Sequence, residues 1–433
     1  MRPAGLKWLL PILLIFLAGQ PLRGAALPPQ VRVGLLSHAA GVPFALPRGG
    51  TVTALSGEGQ PLALPAGETW KALPAEGGVN LLRPDGSPGG QYKPGLVITP
   101  SEDTTTRVSG IVGHWDKVTD REYRGVIEIR PDATGLTVVN RVDVETYLRG
   151  VVPSEMPYTY PLAALQAQAV AARGQAILKA TRHQAEGFGL CATAHCQVYG
   201  GATSERPASD QAVSSTRGEV LVYEGQLADT LYSSNCGGHT ANNEDYWAGA
   251  PPLPYLRGVP DFEPEDKVPY TFPLPEEQAG QYLKYAPRVH CNQSQFARSD
   301  KIRWWAIVPK AELEKRVEAA VGDVGDLLEV RVTRRAASGL VTRLAVIGTK
   351  RLVSVTGGAQ TRRAMGGLDS PSFSVQPIAG ADGLAVAFAV WGAGWGHQVG
   401  MCQVGAAGLA EKGWDYRRLL AKYYLGTSIE RRY

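Results

Sequence analysis

The segment Val151-Val152-Pro153-Ser154-Glu155-Met156-Pro157 sets a single glutamate between two prolines. Two prolines so close leave the backbone few conformations and predict a loop. Apolar neighbours and an Ala-rich segment flank Glu155, and burial of that kind raises a carboxyl pKa, which suits a general acid near neutral pH. The plainer role for the same side chain is to cap the helix that begins at Pro161. A second segment gathers His183, Cys191, His195 and Cys196. Thiolates and imidazoles at short spacing can hold zinc tetrahedrally, although the usual Cys-x-x-Cys spacing is absent. A Cys191–Cys196 disulfide closing a small loop, or two free thiols, are the other readings.

Two further segments are rich in glycine and polar residues. Ser233-Ser234-Asn235-Cys236-Gly237-Gly238-His239-Thr240 and Gly394-Trp395-Gly396-His397-Gln398-Val399-Gly400-Met401-Cys402-Gln403 both allow a ligand or another backbone to come close. Each alone fits a tight structural turn as well. A thiol nucleophile, Cys236 or Cys402 with His239 or His397, is a conceivable alternative chemistry.

The elements that must position these residues are of mixed type. Strand-like runs bounded by Gly, Pro and Asp fill the region up to about 140, among them Val31–Leu36, Thr51–Leu55, Gly95–Ile98, Gly125–Ile129 and Gly135–Val142. A short helix is expected over Asp143–Arg149. Pro161 opens a helix to about Ala180 with Leu162, Leu165, Ala169, Ala172 and Ala176 on one stripe. Strands are expected at Glu219–Tyr223 and Leu227–Ser234, a long Pro-rich loop at 251–278, and a β-meander at Leu328–Val332, Leu340–Ile347 and Leu352–Val355. Asp415 caps a last helix that Gly426 ends. The fold class is therefore α+β. The expected divisions are 1–26, a β-rich region 27–120, and a domain 121–433 with a β-rich insertion at about 300–378.

Composition sets the limits. The chain has 433 residues with a formal net charge of +4. Arg2, Lys7 and Arg23 supply three of those charges from a stretch without acids, so the rest is nearly neutral and gives no case for nucleic-acid binding. Trp8–Ala18 is apolar and Gly24-Ala25-Ala26 is small, which reads as a cleaved signal peptide. Export to the periplasm, the cell envelope or the medium follows, with contact to a membrane only if the signal is retained. Five cysteines in a disulfide-permissive compartment cannot all pair.

The four motifs occur in an order that resembles the SpoIID/LytB family. Its pattern is similar to Val151–Pro157, Ala164–Arg173, His195–Tyr199, Ser233–Thr240, Trp247, Pro254–Leu256 and Gly394–Ala406, with weaker likeness at Ser338–Val341 and Arg362–Phe373. The resemblance covers about residues 120–433, and more loosely Val31–Leu36. It implies a lytic transglycosylase acting on peptidoglycan glycan strands, preferably strands stripped of stem peptides, with Glu155 as the acid/base. It also implies zinc at His183, Cys191, His195 and Cys196 in some members, structural because four ligands would fill its shell. Other members are enhancers of cell-wall amidases. Tyr232, Ser234, His239, His397 and Gln403 become candidates for holding the sugar or orienting Glu155, and Trp395 for stacking on a sugar ring.

The chain departs from the pattern at Gln398, where relatives usually have Gly, at Gln166 where many have Lys, and at Gly174-Gln175 where Thr-Tyr is common. Cys236 and Cys402 stand where relatives often have Ser; if both motifs line one cleft, a disulfide between them is expected. Glycoside hydrolysis normally needs two carboxylates. A lytic cut needs one, because the sugar's own hydroxyl is the nucleophile. Glu244, Asp245 and Asp261 are the alternatives for a second acid in true hydrolysis.

Overall fold

The computed structural model describes residues 27–112 and 117–433, so the expected signal peptide lies outside the described residues. Among the described residues only strands precede Val144, and helices and strands mix after it, so the class is α+β. A seven-stranded sheet runs in the order Leu190–Cys191, Gln30–Ala39, Leu136–Asp143, Val126–Pro131, Leu96–Pro100, Gly50–Ala54, Leu62–Leu64. A six-stranded sheet begins with Val118–Tyr123, Thr106–Val112 and Val42–Ala45. The seven-stranded sheet contains strands from either side of residue 120, and the strand Val118–Tyr123 of the six-stranded sheet runs across it, so the strand-rich region continues to Asp143.

The strand Leu136–Asp143 of the larger sheet delivers the chain into helix α1 (Val144–Glu155), where Asp143 Oδ1 accepts from the amides of Glu145 and Thr146 at 3.1 Å each. Here the structure corrects the sequence reading. Pro153 lies inside α1, and Glu155 is its last residue, not part of a loop. Proline removes one amide donor, the one that would reach Arg149, but the helix survives the loss. Val144, Tyr147, Leu148, Val151 and Val152 are buried, and the Met156 amide still reaches the Val152 carbonyl at 3.0 Å.

Helix α2 (Leu162–Leu178) is the centre of the molecule. Its alanines 164, 167, 169, 171, 172 and 176 are fully buried. Small side chains let α1, helix α3 (Pro207–Ser215), the helices Gln403–Glu411 and Tyr416–Tyr423 and the strand Glu219–Tyr223 all approach it. Arg173, also fully buried, forms a two-pronged pair with Glu145 at 2.8 and 2.9 Å, which ties α2 to the start of α1.

The expected strand Leu227–Ser234 is two pieces. Gln226–Leu227 pairs with Val222 and Tyr223, and Tyr232–Ser233 pairs in parallel with Met401–Cys402. The C-terminal helix Tyr416–Tyr423 is followed by a strand, Ser428–Arg431, that the sequence reading missed and that lies against Glu219–Val222. The meander is present as Leu327–Arg335, Val341–Gly348 and Leu352–Thr356. Together with the sheet Arg303–Pro309, Ala385–Ala393, Phe373–Ala379 it encloses a separate core around Leu313, Val317, Leu344, Phe373 and Phe388. The insertion thus extends to residue 393. No described helix is long and apolar enough to cross a membrane.

Candidate active site

A cleft of about 1400 Å³ opens where the end of α1 meets the two glycine-rich motifs. That exceeds the roughly 300–1,000 Å³ of small-molecule sites and is large enough for an extended ligand. Glu155 lies in its wall with Tyr232, Ser234, Trp395, His397 and Gln403, and with His195 and Cys196 of the second cluster.

The two glycine-rich motifs are laced together backbone to backbone. Asn235 and Trp395 exchange amide–carbonyl bonds at 3.0 and 2.8 Å, the Ala241 amide reaches the Gln398 carbonyl at 2.8 Å, and the Val404 amide reaches Ser234 at 3.1 Å. Gly400 permits this approach: its φ is +70°, and a Cβ there would sit 2.0 Å from the Leu231 carbonyl. Gln398 takes a left-handed φ of +65°, costly for a residue with a side chain. Four side-chain and backbone bonds hold it there. Its amide donates to Ser233 Oγ at 3.1 Å and its Nε2 to the carbonyls of Cys236 and Ala393 at 3.0 and 2.8 Å. Its Oε1 accepts from Ser372 Oγ at 2.7 Å.

Glu155 is partly exposed to the cleft but crowded by protein on its other sides. That desolvation pushes its carboxyl up to about 7, and the one hydrogen bond that opposes the shift comes from the Val198 amide, 2.5 Å from Oε1. Oε1 is thereby occupied, which leaves Oε2 to carry the proton. Gln403 does not face a ligand with its amide group; its Nε2 donates to the Glu155 carbonyl at 3.0 Å and to Gln168 at 3.2 Å, fixing the end of α1. Tyr232 donates to Gln197 Oε1 at 2.8 Å, one residue before Val198. The ring of His397 packs against Trp247 at 5.3 Å, and burial lowers its pKa to about 4. It is neutral at pH 7, and because the Val399 amide donates to Nδ1 at 3.0 Å, its proton sits on Nε2.

His239 is the one sugar-binding candidate that the structure places outside the cleft wall. It is buried, its Nδ1 is bonded to the Thr240 carbonyl at 2.6 Å, and its ring packs at a tilt against Phe272, centroids 4.4 Å apart. The alternative second acids are also elsewhere. Glu244 is paired with Arg257 through two bonds of 2.6 Å, Asp245 accepts from Asn242, and Asp261 is fully buried. The cleft's other carboxylate is Asp229, in an ion pair with Lys179 at 2.9 Å. Sequence reasoning missed it, and missed five cations in the wall: Lys179, Arg182, Arg298, Lys301 and Arg362. They come from three stretches of chain far apart in sequence: Lys179 and Arg182 just after α2, Arg298 and Lys301 at the helix Ser299–Ile302, and Arg362 in the helix Gly358–Ala364. Lys301 Nζ and the Arg298 guanidinium lie 4.9 and 5.9 Å from the Trp395 ring.

The donor atoms of His183, Cys191, His195 and Cys196 all lie within 4.8 Å of one another, which fits a tetrahedral ion. His183 holds its Nδ1 against Glu186 at 2.6 Å and points Nε2 to His195, 3.2 Å away. A carboxylate behind a histidine is the usual support of a metal ligand. Hydrogen bonding between the two thiols pulls Cys191 down to about 3 and pushes Cys196 up.

Residues 132–223 match the family described as SpoIID, stage II sporulation protein, and residues 241–400 match a domain of unknown function (DUF8618). The SpoIID match spans both α1 and α2, with Glu155 and the His/Cys cluster. Over residues 132–223 the chain carries a SpoIID domain. It is 29% identical over 342 residues to an uncharacterized protein of Brachyspira hyodysenteriae, covering 78% of this chain and 77% of the relative. It is 28% identical over 297 residues to the amidase enhancer of Bacillus subtilis, covering 65% of this chain but 40% of that longer protein. Stage II sporulation protein D of Bacillus amyloliquefaciens is 27% identical over 357 residues, 77% of this chain and 90% of the relative. Within the family, the Arg of the Ala-Ala-Arg motif here, Arg173, serves the fold and not the cleft.

Proposed function

We propose that this protein is exported and cleaves peptidoglycan glycan strands as a lytic transglycosylase, with Glu155 as the only proton donor and acceptor. The observation that carries this reading is a carboxyl raised to about 7 in a cleft whose other carboxylate, Asp229, is neutralised by Lys179. A group with that pKa can give a proton and take one back at neutral pH. Glu155 Oε2 donates its proton to the glycosidic oxygen as the bond to the muramic acid anomeric carbon breaks. The carboxylate then takes the proton of that sugar's 6-hydroxyl, whose oxygen bonds to the anomeric carbon and closes a 1,6-anhydro ring. No water enters the balance, and attack within one sugar gains from proximity.

The cations of the cleft support a polyanionic substrate. A glycan strand without stem peptides carries a free carboxylate on each muramic acid; Arg182 and Arg362, bonded to the backbone carbonyls of His195 and Leu368, offer it partners, while Arg298 and Lys301 are paired with Asp300 and Asp369 at 2.8 Å each. Trp395, Trp247 and Tyr246 supply aromatic faces for sugar rings. His183, Cys191, His195 and Cys196 would hold a structural zinc ion that supplies rigidity to the segment leading into Gln197 and Val198. These residues in turn hold Tyr232 and Glu155.

Digestion of peptide-free glycan strands by the wild type and by Glu155→Gln, with mass analysis of the new ends, tests the reading. Anhydro ends from the wild type alone are expected. Ordinary reducing ends would replace the lytic route by hydrolysis. A second reading, a glycan-binding activator of a cell-wall amidase, is favoured by the relative named amidase enhancer. Under that reading Glu155→Gln keeps full stimulation of the amidase.

A further inference from the structure

Behind the cleft, Cys236, Asp261, Cys291 and Cys402 converge from four separate segments, and their donor atoms all lie within 4.8 Å of one another. We propose that these three thiolates and one carboxylate hold a zinc ion of their own, a site distinct from the His183/Cys191/His195/Cys196 cluster and independent of the catalytic reading.

The first argument is size. Zinc with sulfur ligands at about 2.3 Å makes a tetrahedron with an edge of about 3.8 Å, so four donors gathered this tightly need little adjustment to enclose the ion. The second is burial. Asp261, Cys291 and Cys402 are 0% exposed and Cys236 is 2% exposed. A lone thiol packs well as a small apolar group, but a carboxylate without a cation is costly in such a place. Asp261 accepts only neutral donors, the Cys291 amide at 2.6 Å and the Tyr423 hydroxyl at 3.1 Å. Among the described residues no Lys, Arg or His forms an ion pair with it; nearby Lys422 is paired with Glu263 instead.

The third argument is the support of the sulfurs. Cys402 Sγ accepts from the amides of Cys236 and Gly405 at 3.2 and 3.3 Å, at the start of the helix Gln403–Glu411. Such amides stabilise a thiolate, the form that binds metal. A Cβ at position 405 would lie 2.4 Å from Asp261 Oδ1, so glycine leaves the carboxylate its place. The fourth is the odd cysteine count. All five cysteines fall in the two clusters, two in one and three in the other. Two metal sites employ every one. A disulfide in the larger cluster would strand a third thiol beside a buried acid. Binding releases the thiol protons to solvent as the ion enters during folding.

The ion would fasten the Ser233–Thr240 and Gly394–Gln403 motifs from the rear. Crystals of the full wild-type chain prepared with zinc, measured across the zinc absorption edge, should give an anomalous peak between these four side chains. No peak there, or density joining two of the sulfurs, overturns the proposal. In solution, the Cys191→Ser/Cys196→Ser double variant should still bind one zinc ion per chain. Adding Asp261→Asn should weaken that ion at least about tenfold, by loss of a direct ligand. A double variant that folds with no zinc, or a non-reduced peptide map linking any two of Cys236, Cys291 and Cys402, rejects it.

Discussion

Helix α1 carries a glutamate near each end, and the two ends treat it in opposite ways. Glu145, in the first turn, accepts from Arg173, the Gly218 amide at 3.2 Å and the Tyr433 hydroxyl at 2.6 Å. Burial acts to raise its carboxyl, but the bonds and charge of Arg173 win and hold it below the usual range. The amide ends of the helix favour its charge as well. Glu155, in the last turn, has one neutral donor and faces the carbonyl end, and it is pushed up to about 7. The lesson is that partners, not residue type or depth, decide which glutamate serves the fold and which can do chemistry.

Replacing Glu155 by Gln gives the sharpest contrast. Gln keeps an oxygen for the Val198 amide, so the fold should persist while glycan cleavage falls by about 10²–10⁴-fold, the usual worth of a general acid. Undiminished cleavage would place the chemistry elsewhere. At the opposite end, Arg173→Met should leave Glu145 buried and unpaired and cost about 3–5 kcal/mol in urea unfolding. Adding Glu145→Gln should restore part of it. A loss below 1 kcal/mol would mean the two ends of α1 are more alike than their contacts imply.

The two glutamates also predict opposite slopes of stability with pH. Glu155 binds its proton more tightly when folded, so its contribution is complete below the unfolded value of 4.5 and is lost as pH rises through 7. The Glu155→Gln protein should therefore match the wild type near pH 4 and exceed its stability by about 2–3 kcal/mol at pH 8. Glu145 acts the other way, its contribution being present above 4.5 and lost as pH falls. Thermal unfolding across pH separates them. The smallest effect concerns the donor to Glu155. Chelation, or Cys191→Ser/Cys196→Ser, should loosen Val198 and remove the bond that holds the Glu155 pKa down. The alkaline limb of the rate profile should then move to higher pH, with a modest loss of rate.

Much of the fold is legible in the sequence because its signals are local. Pro161 and the alanines that follow announce α2, alternation announces the strands, and Asp415 announces the last helix. Pro153 misleads, since tertiary burial of Val151 and Val152 outweighs the one hydrogen bond that proline removes. Glu155 is legible as an acid through its motif, but its protonation depends on the Val198 amide, which no spacing reveals. His239 looks like a ligand-binding residue by its neighbours and is a packed one because Phe272 covers it. Asp229 and the cations of the cleft come together only through the fold, as does the meeting of Cys291 and Asp261 with Cys236 and Cys402.

The insertion leaves and rejoins the chain at neighbouring points, where the Gly394 amide bonds the Ile302 carbonyl at 3.1 Å, and it is also tied down along its length: the Leu274 amide bonds the Ala337 carbonyl at 2.8 Å, the Gly396 amide the Asp369 carbonyl at 2.9 Å, and Ser372 Oγ donates to Gln398 Oε1 at 2.7 Å. A module attached in this way bears on the Gly394–Gln403 motif and not on the helix that ends in Glu155. Yet it contributes Arg362 to the cleft, and Lys301 stands at its threshold. Changes in this module would thus reach the substrate-facing wall of the cleft before they reach the carboxyl that handles the proton.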